Sequence, residues 1–148
     1  SKDEDIKARI ESGATILNVS GGKDTADIVI ADLPCSGLGV IGKKCDIKYK
    51  TSIEDINALS EIQREILKNV SRYLKKGGQL LYSTCTIAME ENEDNVRWML
   101  ENLPFKKADI RKRVPKKIRN YMKDDGYIQI LPDMTESDGF FIAAFIKQ

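Results

Sequence analysis

The sequence contains no histidine. That removes the serine–histidine–aspartate triad, the cysteine–histidine dyad and any histidine-ligated metal site from consideration. Cysteine is scarce: three residues, Cys35, Cys45 and Cys85, an odd number at wide spacing. This argues against a disulfide framework and for reduced thiols in the cytoplasm. The absence of a Cys-x-x-Cys motif leaves a redox dithiol without support. No apolar run approaches the roughly 20 residues that cross a bilayer. The first residues, Ser1-Lys2-Asp3-Glu4-Asp5, are charged and show no signal-peptide stretch. An excess of one charge is missing too. The 24 basic and 23 acidic residues leave a formal net charge of +1, so any attraction for nucleic acid must be local.

What is present suits one ordinary domain with a core: 148 residues, 41% of them hydrophobic. Asp27-Ile28-Val29-Ile30-Ala31 is apolar and rich in β-branched residues, and predicts a buried strand. It gives way to Asp32-Leu33-Pro34-Cys35-Ser36-Gly37, where proline and glycine predict a loop. Ser52 and Asp55 have the spacing of a capping box. Behind them Ile53, Ile56, Leu59, Ile62, Ile66, Val70 and Tyr73 recur every three or four residues as the apolar face of a helix. Lys75-Lys76-Gly77-Gly78 reads as its stop, and Leu80-Leu81-Tyr82 as the next strand, which runs into Ser83-Thr84-Cys85-Thr86. Glu90 and Glu91 read as the acidic first turn of a second helix, with Val96, Met99, Leu100 and Leu103 facing inward. A basic stretch from Lys106 to Lys123 shows little periodicity. Tyr127 to Leu131 and Phe140 to Ile146, joined by a polar loop, predict an antiparallel hairpin. The order strand, helix, strand, helix, hairpin fits an open α/β sheet, in which ligands sit beyond the carboxyl ends of the strands.

Both cysteine loops lie at such ends. If the two strands are neighbours, Asp32, Cys35 and Cys85 converge on one pocket. A thiolate is a strong nucleophile, and a loop beside a helix N-terminus can lower a thiol's pKa. A carboxylate beside it can hold an amide-like or amidine-like edge. Such a set suits covalent activation of an electron-poor ring. Against this stands the ordinary fate of free cysteine, a small buried core residue. Cys45 has no comparable setting.

Ala31-Asp32-Leu33-Pro34-Cys35-Ser36-Gly37-Leu38-Gly39 and Tyr82-Ser83-Thr84-Cys85-Thr86 closely resemble two signature motifs of the RNA cytosine carbon-5 methyltransferases, the Sun/Fmu-like enzymes that modify ribosomal and transfer RNA. Further segments match in order: Asp46-Ile47-Lys48, Gln63-Arg64-Glu65-Ile66-Leu67, Glu91-Asn92-Glu93, and Asp138-Gly139-Phe140-Phe141-Ile142-Ala143. The resemblance implies a Rossmann-like methyltransferase fold, S-adenosylmethionine as cofactor, and RNA as partner. Small-subunit ribosomal RNA comes first as substrate and transfer RNA second. Cys85 would be the nucleophile, Cys35 the residue that helps resolve the adduct, and Asp32 the group that binds the base and also contacts the cofactor. Pro34, Ser36, Lys44, Asp46 and Lys48 would meet the substrate, whose target base must leave its stack.

The sequence departs from the family pattern in three places. Cys45 stands before Asp46 where proline is usual, and Asp133 follows Pro132 where histidine is frequent. Ser20-Gly21-Gly22-Lys23-Asp24-Thr25 echoes the family's glycine-rich cofactor loop but lies too close to Asp32 to be it. It reads instead as a solvent loop. Residues 1–25 therefore match poorly, and residues 26–148 read as the C-terminal part of a catalytic domain shortened on its cofactor-loop side. Two rivals remain. An amino-group methyltransferase would carry an Asp/Asn-Pro-Pro-aromatic loop and leave Cys85 without a role. A non-catalytic RNA-binding fragment would keep the basic surface, with Arg111, Arg113, Lys116, Lys117 and Arg119 on phosphates. The same charge run is equally a solvated loop.

Overall fold

The computed structural model describes residues 14–16, 22–40, 51–122, 124–132 and 137–148. Six strands form one mixed sheet: β1 (Ala14–Ile16), β2 (Ala26–Asp32), β3 (Leu74–Thr84), β4 (Phe105–Lys107), β5 (Tyr127–Ile130) and β6 (Phe140–Lys147). Among the described residues three α-helices accompany them: α1 (Ile53–Ser71), α2 (Glu93–Asn102) and the short α3 (Lys116–Arg119). The sheet order is β1-β2-β3-β6, with β4 and β5 sharing the far side of β6. Among the described strands only β2 and β3 run parallel, and the connection between them includes α1. The predicted hairpin is present, with Tyr127 opposite Ala143 and Ile130 opposite Phe140.

The capping box that the sequence predicts is formed. Ser52 Oγ accepts from the backbone N–H of Asp55, and the Asp55 carboxylate accepts from the N–H of Ser52 at 3.0 Å. The hydrogen bonds that the carboxylate accepts from the Ser52 N–H and from the Ser52 hydroxyl hold the Asp55 carboxyl below its ordinary pKa. The buried face of α1 differs from the predicted one. It runs through Ser60, Gln63, Leu67, Val70 and Ser71, while Ile53 and Ile62 are each 52% exposed. The stripe is turned by about one position because polar residues, not only apolar ones, face the interior. The helix ends at Ser71, and Gly77-Gly78 lies inside β3 instead of stopping the helix. Gly77 has φ +81°, a conformation that glycine adopts without strain. Pairing shifts from Ala26–Leu74 to Ile28–Gln79 across that point, the signature of a bulge.

The core lies between α1, α2 and one face of the sheet. Val29, Leu80, Tyr82, Phe141 and Phe145 are fully buried there, with Leu67 and Met99 from the helices. Tyr82 and Phe141 meet edge to face at 6.0 Å, a favoured aromatic geometry. Val96 and Met99 of α2 are buried as expected, and Leu100 and Leu103 pack against the core from its margin. The strand predicted at 27–31 is present, but only alternate residues are buried, and Ile28 is exposed. The opposite face of the sheet is covered in part by the segment around Ile110, Val114 and Ile118, leaving a cavity of about 440 Å³. None of its lining residues belongs to a cysteine loop. Within the basic stretch, Lys107 pairs with Asp124 at 2.5 Å, and Arg111 reaches both Asp109 at 2.9 Å and Asp125 at 3.2 Å. Among the described residues, no helix is long and apolar enough to cross a membrane.

Candidate active site

Parallel pairing of β2 and β3 sets Asp32 opposite Ser83, so the two cysteine loops leave the sheet side by side. The two sulfurs touch: Cys35 Sγ lies 3.3 Å from Cys85 Sγ. Both thiols are free and half-buried. Asp32 is exposed at the strand end, where its Oδ1 accepts a hydrogen bond from Ser83 Oγ at 2.8 Å. Pro34 is exposed on the same loop. The predicted convergence of the two cysteines is therefore present, and Asp32 is bonded to Ser83, two residues before Cys85.

The sequence suggested that a thiol here could have a lowered pKa. Cys35 shows the reverse. Burial, and then the hydrogen bond to Cys85, push its thiol up to about 12. Cys35 is thus protonated in neutral solution.

The loops are fixed from beneath by residues to which the sequence reading gave no chemical role. Glu91 does not open a helix. The helix begins at Glu93, and Glu91 is completely buried in the turn before it. Its Oε1 accepts from the backbone N–H of Ser36 at 2.9 Å and from Gln63 Nε2 at 2.9 Å. Its Oε2 accepts from Ser36 Oγ at 2.5 Å. Gln63 Nε2 also donates to the Pro34 carbonyl at 2.9 Å. Asn95 Nδ2 donates to Gln63 Oε1 at 2.8 Å and so fixes which way that amide points. Ser36 Oγ meets Thr86 Oγ1 at 2.7 Å. From above, the N–H of Gly39 donates to the Cys85 carbonyl at 2.9 Å, and the N–H of Gly139 donates to the Gly39 carbonyl at 2.8 Å.

Lys44, Asp46 and Lys48, and also Cys45 and Asp133, lie outside the described residues. The turn before β2 includes Gly22, Lys23 and Asp24, all exposed, and Thr25 Oγ1 closes it on the Gly22 carbonyl at 2.7 Å. Its form is that of a solvent loop. As to a nucleotide-like cofactor, the described residues offer the open carboxylate of Asp32 but no glycine-lined cradle. The N–H groups of Gly39 and Gly139 are already engaged.

A family profile described as "16S rRNA methyltransferase RsmB/F" matches residues 8–146. The chain is similar to the probable ribosomal RNA small subunit methyltransferase B of Bacillus subtilis. It is 41% identical to it over 124 residues, which are 82% of this chain and 28% of that protein. It is similar also to ribosomal RNA small subunit methyltransferase B of Cronobacter sakazakii, at 39% identity over 127 residues, covering 86% of this chain and 28% of that protein. Among solved structures, NSun6 from Pyrococcus horikoshii with SFG superposes with a TM-score of 0.65 at 30% identity. That match covers 82% of this chain and 30% of that one. The chain thus spans less than a third of the length of these relatives.

Proposed function

Because the chain belongs to the family of 16S rRNA methyltransferases RsmB/F, we propose that residues 26–148 form the C-terminal part of a domain that methylates carbon 5 of cytosine in RNA. The family is one of RNA methyltransferases, and the fold is Rossmann-like. Small-subunit ribosomal RNA is the substrate that the relatives' names favour, and transfer RNA is the second. The observation that carries the reading is the 3.3 Å contact of the two sulfurs at the carboxyl ends of adjacent parallel strands.

In this reading the Cys85 sulfur bonds to carbon 6 of a cytosine that has left its stack. Electron density then gathers at carbon 5. S-adenosylmethionine would supply the methyl group and leave as S-adenosylhomocysteine, and its use is supported by the relative solved with SFG, an analogue of that cofactor. Asp32 accepts hydrogen bonds from the exocyclic amine and the protonated ring nitrogen of the adduct, stabilising it as it forms. Resolution needs the carbon-5 proton to leave and the sulfur–carbon-6 bond to break. Cys35, kept protonated by burial, can pass its proton to the departing Cys85 sulfur and take up the one from carbon 5. The same raised pKa makes Cys35 a poor nucleophile. Pro34 and Ser36, with Lys44, Asp46 and Lys48, would border the base, and the cytoplasm is where such RNA is met.

A second reading is an RNA-binding fragment without catalysis. It is supported by the short span relative to the curated relatives and by the lack of a cofactor cradle among the described residues. Calorimetric titration of the chain with S-adenosylmethionine separates the two. Micromolar binding supports the enzyme reading and leads directly to methylation assays on ribosomal RNA. Absence of binding supports the fragment.

A further inference from the structure

The geometry points to Glu91 as the positioning residue of the two-thiol site: through Ser36 it holds the Cys35 loop against the Cys85 loop at sulfur contact distance. This role rests on reading the two thiols as the reacting pair.

Glu91 is completely buried, and three donors converge on its carboxylate. Two of them come from Ser36, the residue after Cys35. The third, Gln63 Nε2, also holds the carbonyl of Pro34, the residue before Cys35. Cys35 is therefore gripped on both flanks by one carboxylate–amide pair. The grip continues across the site, because Ser36 Oγ joins Thr86 Oγ1, beside Cys85, at 2.7 Å. A buried carboxylate is expensive unless hydrogen-bonded donors meet it. Here the donors that meet it are those that set the loop. Reaction rates depend steeply on such placement, since a displacement near 1 Å can cost about a hundredfold.

The test reads thiol proximity directly and needs neither RNA nor cofactor. In a Cys45→Ser background, dipyridyl disulfide caps one thiol of the pair and releases one thiopyridone. The neighbouring thiol then displaces the second thiopyridone as the intramolecular disulfide forms. The rate of the second release reports how well the sulfurs are juxtaposed. With Glu91→Ala the second release should slow by about tenfold or more relative to the first. With Glu91→Gln it should stay within about threefold of the parent, because the new amide can donate to Ser36 Oγ while its oxygen still accepts from the Ser36 N–H. Circular dichroism checks that each variant is folded. If Glu91→Ala does not fold, Ser36→Ala serves in its place, since it removes the bridging hydroxyl on a half-buried residue and should also slow the second release. A folded Glu91→Ala or Ser36→Ala protein with the parent's second-release rate overturns the positioning role and leaves the methyltransferase reading standing. Conversely, slowed closure in Glu91→Ala together with full methyl transfer by Cys85→Ala would retain the clamp and remove the assigned chemistry.

Discussion

Ser36 and Thr86, each the residue immediately after a cysteine, share a hydrogen bond of 2.7 Å between their hydroxyls. Fifty positions apart in the chain, they tie the two loops together one step from the sulfurs. Thr86 is fully buried, and its Oγ1 also accepts from the N–H of Ala88 at 3.2 Å. Thr86→Val keeps the volume and removes both links. It should lower stability by about 1–3 kcal/mol, as expected when buried polar partners are orphaned. Thermal or denaturant unfolding would measure this, and an unchanged midpoint would remove Thr86 from the account.

The division of labour between the thiols gives opposite outcomes for two similar substitutions. Cys85→Ala should abolish methyl transfer in an active enzyme form, because the bond to carbon 6 cannot form. Cys35→Ala should leave that bond formed but unresolved, so protein and RNA should migrate together on a denaturing gel. A trapped complex in the Cys85 variant rather than the Cys35 variant would reverse the assignment.

The raised pKa of Cys35 has a consequence for stability. Its thiol ionises at about 12 in the folded protein, against an ordinary value of 9.0. The folded state therefore holds this proton more tightly than the unfolded chain does. The corresponding stability is fully present below about pH 9 and is lost as pH rises toward 12. Cys35→Ser has no such thiol, so its stability should fall less steeply across that window. Parallel pH profiles for the two proteins in denaturant check the sign.

Gly39 is needed for close approach rather than for its backbone angles. A Cβ at that position would lie 2.5 Å from the Gly139 carbonyl oxygen and 2.7 Å from that of Cys85. Both neighbours are backbone, which cannot swing aside. Gly39→Ala should cost about 1–3 kcal/mol through overpacking and should loosen the Cys85 loop. Unfolding measurements report the first effect, and faster alkylation of Cys85 reports the second.

Much of this architecture is legible in the residues themselves. The Ser52–Asp55 cap, the hairpin of Tyr127 and Phe140, and the placement of Cys35 and Cys85 at strand ends follow from local spacing and turn chemistry, and the structure forms them. Gln63 and Glu91 are a different case. A glutamine on a helix and a glutamate before one look like surface residues, and the acidic pair Glu90-Glu91 looks like a first turn. Only a contact across 28 positions reveals that they face each other in the interior. Both belong to segments that resemble the family's motifs, and that was the available signal, although resemblance alone assigns no chemistry. The long strand β3 was hidden for a related reason. Gly77 and Gly78 punctuate a sequence, yet a bulge in a paired strand uses glycine just as a helix terminus does.

Strand β6 is the hub of the sheet: it pairs with β3 on one side and with β4 and β5 on the other. Near its end, Lys147 donates to the carbonyls of Ser71 and Leu74 and pairs with Asp24 at 2.8 Å. Three strands, β3, β4 and β5, therefore depend on this one partner. A truncation anywhere within residues 140–147 thus removes the centre of the sheet rather than trimming its edge.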